Sequence, residues 1–280
     1  MESLHQGEAK AVAKTTGPPA TRASLLSDLR RLGLAAGSTV LVHSSLSALG
    51  WVVGGAEAVV LALEDAVGNA GTLMMPAYSM NAPEPSLWRN PPVPESWWET
   101  VRNEWPPFDR DLSPAVRLGT IPETFRHQQG TERSDHPNHS FCARGPNARP
   151  LLHNHSLDDS MGEASPLARL YELDGQVLLL GVDHSSNSSL HLAEYRAQWP
   201  GKHAMRPFKA RVRLDGSTTE VLLHDLELNS DDFGKLGEEF ETNPGAVRGG
   251  LVARGTGRLM DHRALVDYGI RWLERHRLSG

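Results

Sequence analysis

The sequence predicts an α/β fold: a central, largely parallel sheet flanked by helices, with an inserted helical and loop region and a C-terminal β-hairpin plus helices. Three observations carry this. STVLVH, GTLMMP and QVLLLGVD are short continuous apolar runs, the mark of strands buried on both faces. Between the first two lies AEAVVLALEDAV, a helical pattern, which completes a strand–loop–helix–strand unit of the kind that builds parallel sheets. The length, 280 residues with 39% hydrophobic and 22% charged, suits one large α/β domain or two coupled ones.

The elements follow in order. Residues 1–23 are polar and Ala/Thr/Pro-rich, without the basic start and apolar core of a signal peptide. They are expected to form a flexible arm on a cytoplasmic protein, ahead of a single domain over 24–280. SLLSDLRRLGL places leucines at helical spacing and meets Gly33, a C-cap. After STVLVH, SSLSALGWVVGG is a small-residue loop, and the next helix stops near Gly68. Residues 80–110 dissolve into Pro, Trp and acidic residues, with SWWETVRNEW as one amphipathic helix inside an insertion expected to wall a substrate cleft. Its tryptophans serve either that wall or packing.

SPAVRLGTIPETFRHQ predicts another helix, SFCARG a short strand, and SPLARLYEL a helix opened by Ser-Pro. QVLLLGVD then leads into HSSNSSLHLAEYRAQ, a loop turning into a helix. FKARVRLDGSTTEVLLHDLEL alternates around Asp215-Gly216 and reads as a β-hairpin. DDFGKLGEEFE and HRALVDYGIRWLERH close the chain as helices.

Composition removes several function classes. No run approaches the ~18 apolar residues of a membrane helix. The net charge of -6 lacks the basic footprint of a nucleic-acid binder and favours a cationic partner. A single cysteine, Cys142, excludes an intrachain disulfide and a cysteine-rich zinc site, and its apolar setting predicts a buried thiol. No G-x-S-x-G elbow is present, so direct transfer leads over a covalent enzyme intermediate.

The chemistry concentrates in three places. Gly54-Gly55 stands directly before a helix N-terminus, where free amides and the helix dipole attract an anion such as the phosphates of coenzyme A; the other reading is a turn used for close packing. RSDHPNHSFCARG carries His136 and His139. DHSSNSSLHLAE lies at the carboxyl end of the best strand, where open α/β sheets place ligands. There His191 and Glu194 fall three apart on one helical face, and a carboxylate beside an imidazole fixes its tautomer, as a general base requires. H-x-x-H and H-x-x-E also occur in metal sites, but H-E-x-x-H and a Cys pair are both missing, so no metal is expected.

Several blocks together resemble the aminoglycoside 3-N-acetyltransferase family: VHSSLSALGWVVGGAEAVVLALEDAVGNAGTLMMP, PPFDRDLSPAVRLGTIPETFR, RSDHPNHSFCARG, ASPLARLYELDGQVLLLGVDHSSNSSLHLAEYRA and VRGGLVARGTGRLMDHRALVDYGIRWL. They run from Leu25 to Leu273 in one order. The family is distinct from the GNAT acetyltransferases; Arg30-x-x-Gly33-x-Ala35 matches the GNAT string only at the end of a helix.

The resemblance implies acetyl transfer from acetyl-CoA to the 3-amine of the deoxystreptamine ring, giving antibiotic resistance. It places the general base at His191, with Glu194 as its partner and His136 in reserve. Coenzyme A would be held by His43, Ser44, Ser45, Leu46, Ser47, Gly50, Val52, Val53, Gly54 and Gly55, with Ser113, Arg117 and Gly119. A polycationic drug calls for carboxylates, so Asp109, Glu123, Asp231 and Asp232 are expected to bind it, beside Tyr78, Trp98 and His136; Glu238 and Glu239 read as solvated surface. The partners expected are an aminoglycoside and acetyl-CoA, with no nucleic acid and no membrane, in a monomer or homodimer. The alternatives are a same-fold acetyltransferase for another amine, a histidine-rich metal-dependent hydrolase, and a non-catalytic binder of cationic sugars.

Overall fold

The computed structural model describes residues 7–9, 11–13, 15–79, 84–88, 91–204, 207–214 and 216–278. A seven-stranded sheet in the order β3-β4-β2-β1-β5-β9-β8 divides the molecule. At its centre β1 (Thr39–Ser44) pairs in parallel with β2 (Thr72–Pro76) and with β5 (Gln176–Leu180). The expected fold class holds, with the parallel pairing confined to these three strands. β3 (Glu132–Arg133), β4 (Phe141–Arg144), β8 (Val247–Val252) and β9 (Gly255–Asp261) flank them antiparallel.

Alternate residues of the central strands feed two cores. Val40, Val42, Leu73, Met75, Leu178 and Leu180 pack with the helices α1 (Arg22–Leu32), α2 (Gly55–Val67) and α4 (Thr120–Arg126) on one face. On the other face Leu41, Met74, Val177 and Leu179 meet α5 (Ala148–Leu152), α6 (Pro166–Glu172), α7 (Ser189–Arg196), α8 (Phe233–Glu241) and α9 (His262–His276). Both faces of the sheet are therefore apolar, which is why its central strands read as unbroken hydrophobic runs. Replacing Leu179, fully buried, with Ala should cost about 2–5 kcal/mol.

Local signals set the helix ends. Thr21 and Ser24 form a reciprocal capping box at α1, and Gly33, at φ 101°, closes that helix in the left-handed region. The Ser165 hydroxyl accepts N–H groups of Leu167 and Ala168 at the Ser-Pro start of α6. The Asp261 carboxylate accepts the Ala264 N–H at 2.7 Å to open α9.

Three expectations need correction. The helix expected over SPAVRLGTIPETFRHQ contracts to α4, because Arg117 (φ 61°) and Gly119 (φ 85°) turn the preceding backbone left-handed. The β8–β9 hairpin, turning at Ala253 (φ 52°), had no strand signal: Gly249, Gly250, Gly255 and Gly257 interrupt its alternation. The arm is not loose over its described part. Thr15 Oγ1 accepts the Trp51 N–H at 2.8 Å, and the Ala20 N–H and C=O bond to Trp51 and Val53.

The hairpin β6 (Phe208–Leu214)–β7 (Ser217–Leu223) stands as its own two-stranded sheet, with Gly216 at φ 80°; Asp215 lies outside the described residues. Within the insertion, residues 80–83, 89 and 90 also lie outside. The rest forms α3 (Trp98–Glu104) and a strand-like step in which Phe108 exchanges backbone hydrogen bonds with Arg211 and Arg213 of β6. Among the described residues no helix is long and apolar enough to cross a membrane.

Candidate active site

A cleft of about 1020 Å³ opens at the carboxyl ends of β1 and β5. Its floor is the β1 end and the loop after it: His43, Ser44, Ser45, Leu46, Ser47, Gly50, Val52, Gly54 and Gly55. Gly54, at φ 83°, is the N-cap of α2 and brings no side-chain cap, so the first turn of a 13-residue helix faces this loop uncapped. Opposite stand Arg117, Leu118, Gly119 and Thr120; from the β5 side come Ser185, Ser186, Asn187, Ser188 and His191. Arg117 is the one guanidinium and Glu8 the one carboxylate among the described lining residues. Hydroxyls and backbone dominate. That lining suits a long, amide-bearing chain ending in phosphates better than a polycation.

His191 is the reactive candidate in this wall. It sits in the first turn of α7, and its Nδ1 lies 2.5 Å from Glu194 Oε2. Glu194 is wholly buried, a position an unpaired carboxylate could not hold. Its other oxygen accepts Arg277 Nη1–H at 2.6 Å and the Asn229 N–H at 3.1 Å. Arg277 is in turn fixed by a two-pronged bond to Asp232, at 2.8 and 2.6 Å, and donates to the Asn229 carbonyl. With Glu194 accepting at Nδ1, a neutral His191 carries its lone pair on Nε2, which meets no hydrogen-bond partner among the described residues. Phe233 packs against the ring, centroids 4.9 Å apart. The chain thus presents an oriented imidazole acceptor to the cleft.

Tyr78 reaches the same cleft and donates to Ser188 Oγ at 2.6 Å; burial raises its phenol pKa, so it remains a neutral donor.

Several expected site residues are engaged elsewhere. Val53 points outward, 45% exposed. The Ser113 hydroxyl accepts the Asp109 N–H, and its carbonyl binds the buried Arg133 guanidinium. Trp98 donates to the Val93 carbonyl at 3.3 Å beneath Arg102. Asp109 caps its own turn through the Leu112 and Asp111 N–H groups and pairs with Arg213, which hold its carboxyl below the usual range. For Glu123, burial pushes the pKa up, yet Arg126 and the Ala115 N–H prevail and hold it down. It lines a separate groove between α2 and α4.

His136 is buried at 1% exposure, its Nδ1 accepting N–H groups from Asn138 and His139 and its Nε2 facing the Leu157 carbonyl. Both nitrogens are occupied, so the reserve base is a structural residue here. Asp232 serves Arg277 rather than the cleft, and Asp231 is exposed beside it. For Asp109, Glu123 and Asp232 the physical reason is common: arginines and turn amides of the same chain satisfy them first. The described part of the insertion packs on β6 and contributes nothing to this cleft.

Sequence reasoning missed Trp51, Asn187, Ser188, Ser230 and Phe233 in the lining, and Glu8 and Ala11 of the arm. The run of small polar residues from Ser185 to Ser189, directly after the most strand-like segment, was the available signal. Arg277 had none beyond being a cation just past the end of a helix. Among the described residues no three His, Cys, Asp or Glu side chains cluster as a metal site would. Cys142 is buried, and desolvation pushes its thiol up to about 12.

Comparison with known proteins fits this geometry. The family model described as aminoglycoside 3-N-acetyltransferase matches residues 41–274. The chain is 40% identical to the SPbeta prophage-derived aminoglycoside N(3')-acetyltransferase-like protein YokD of Bacillus subtilis (strain 168), across 94% of this chain and 96% of that one. It is 39% identical to aminoglycoside N(3)-acetyltransferase VIII of Streptomyces fradiae, across 95% and 96%. The solved structure of AAC-IIIb binary with CoASH superimposes with a TM-score of 0.83 at 34% identity, covering 94% of this chain and 99% of that one. The chain belongs to the aminoglycoside 3-N-acetyltransferase family of acyltransferases.

Proposed function

We propose that the protein transfers the acetyl group of acetyl-CoA directly to the 3-amine of the 2-deoxystreptamine ring of an aminoglycoside, with His191 as general base. The observation that carries this reading is one imidazole in the cleft wall, held at Nδ1 by a buried carboxylate and open at Nε2. The relative solved with CoASH supports placing coenzyme A in the same cleft. There the Ser/Gly loop and the uncapped turn of α2 can take amide and phosphate groups, with Arg117 as the cation.

An alkylammonium is not nucleophilic until it loses a proton, so a base within hydrogen-bond reach is required. His191 Nε2 takes that proton while Glu194 steadies the imidazolium that forms. The amine nitrogen then attacks the thioester carbonyl carbon, the C–N bond forms, the C–S bond breaks with its electron pair on sulfur, and the thiolate takes up the second proton that the nitrogen sheds, leaving an amide and CoASH. Arg277 keeps Glu194 from having to compete with substrate cations as a buried, unbalanced charge.

Purified protein incubated with acetyl-CoA and gentamicin or tobramycin should yield a drug heavier by one acetyl group, with NMR assigning the modified amine. Acetylation only of some other amine would point to a same-fold transferase for a natural product. Stoichiometric zinc with chelator-sensitive turnover would sink the mechanism.

A further inference from the structure

His43 occupies the next-to-last position of the central strand β1, opposite Leu179 of β5. It is 4% exposed and lines the cleft, yet no hydrogen bond among the described residues reaches either ring nitrogen, and its Nε2 is withdrawn from solvent altogether. Buried polar atoms are almost always paired, so each exception calls for a partner that the folded chain does not supply. The buried histidines 136, 155 and 184 have both nitrogens bonded. His262 shares the deficit but lies beside Tyr171 and does not line the cleft. The next residue, Ser44, repeats the pattern: its hydroxyl is buried, cleft-lining and without a partner. His43 therefore keeps hydrogen-bonding capacity on the cleft wall that the folded chain does not use.

Burial pushes His43 down to about 3, with His191 and His184 opposing any positive charge on it. At neutral pH it holds one N–H and one lone pair and cannot act as the base. His191 has a carboxylate behind it; His43 has none. The two environments divide the labour of a proton acceptor and a neutral hydrogen-bond donor.

We propose that the His43 imidazole is a catalytic residue that donates a ring N–H to the acetyl carbonyl oxygen of acetyl-CoA. This rests on the acyl-transfer reading above. As the amine nitrogen attacks, the C=O π pair moves to oxygen, where the His43 N–H meets it. On collapse the C=O bond re-forms, the C–S bond breaks with its pair on sulfur, the thiolate takes the second proton from nitrogen, and the first stays with His191. A donor aimed at charge that develops only in the transition state raises turnover without tightening ground-state binding.

His43→Leu should lower kcat by about 10²-fold, while KM for acetyl-CoA and the Kd for CoA by calorimetry stay within about threefold. His43→Asn, which keeps an N–H donor, should recover about tenfold of that loss. Wild-type kcat in the Leu variant, CoA binding that weakens in step with kcat, or an Asn variant no better than Leu would each overturn the assignment. Should the Leu variant fail to fold, ¹⁵N-histidine spectra of the wild type serve instead. A ketone analogue of acetyl-CoA, with a methylene between sulfur and carbonyl, should shift one His43 nitrogen, and an unmoved resonance would refute the contact. A shifted resonance in a protein that acetylates no amine supports the contact and sinks the transferase reading alone.

Discussion

Two histidine–carboxylate assemblies lie on the same face of the sheet, and they differ in where the imidazole stands. In one, His191 contacts Glu194 directly and leaves Nε2 open to the cleft. In the other, His139 Nδ1 reaches Asp225 through the Ser160 hydroxyl, at 2.6 Å for each step, while Tyr195 also donates to Asp225. Burial raises the Asp225 pKa, but the bonds from His139, Ser160 and Tyr195 outweigh it and hold the carboxyl strongly down. Around them His136 stacks on His139, and His155 is bonded at both nitrogens, to Ser134 and to the Ser160 carbonyl. The second assembly has more partners and ties down two connecting segments. The first has fewer partners and stands in the cleft wall, which the second does not line. A place on the cleft, not the presence of a carboxylate, distinguishes the candidate base from its structural counterpart.

Substitutions can break or sharpen that contrast, taken here by their effect on turnover. His191→Ala should cut kcat by roughly 10²–10⁴-fold with CoA binding intact; turnover near wild type would move the base to another residue. Glu194→Gln should cost about 10²-fold in kcat, because the imidazole loses its tautomer control. It should also lower the melting temperature, since Arg277 loses a buried counter-charge. A variant equal to wild type in both would reduce Glu194 to packing. Asp232→Asn should lower kcat by less than about threefold, because one carboxylate still holds Arg277; a loss matching that of Glu194→Gln would make Asp232 an equal member of the pair.

His155→Gln should leave kcat unchanged and act on pH dependence alone. Burial holds folded His155 down to about 3, against about 6.5 in the unfolded chain. The unfolded state therefore takes up a proton that the folded state refuses. Stability from this residue is full above pH ~6.5 and falls at up to about 1.4 kcal/mol per pH unit toward pH ~3. The Gln variant should show a shallower decline of melting temperature between pH 6 and 4, and an unchanged slope would mean that His155 protonates in the folded protein.

The sequence made the core legible and the polar pairings illegible, for one physical reason. Strands such as Gln176–Leu180 and helices such as Gly55–Val67 announce themselves by local apolar spacing, which solvent exclusion enforces within a few residues. The His191–Glu194 pair was readable because both partners share one helical turn. Arg277 lies 83 residues from Glu194, and Arg213 lies 104 from Asp109. No local pattern encodes such meetings, so carboxylates that look free in the sequence are spent on distant arginines in the fold. The glycine-broken β8–β9 hairpin was hidden for the opposite reason: its residues carry too little side chain to leave a pattern.

Arg277 makes the site sensitive to the loss of a few residues that no sheet or helix needs. It follows α9, past the residues that the family model spans, and is the guanidinium that balances Glu194. A chain cut after residue 276 would contain every strand and helix described above, yet the Glu194 carboxylate would stand in the interior without the guanidinium that balances it. Proteolytic trimming past residue 276 would therefore spare every element of the sheet and still unbalance the His191–Glu194 pair.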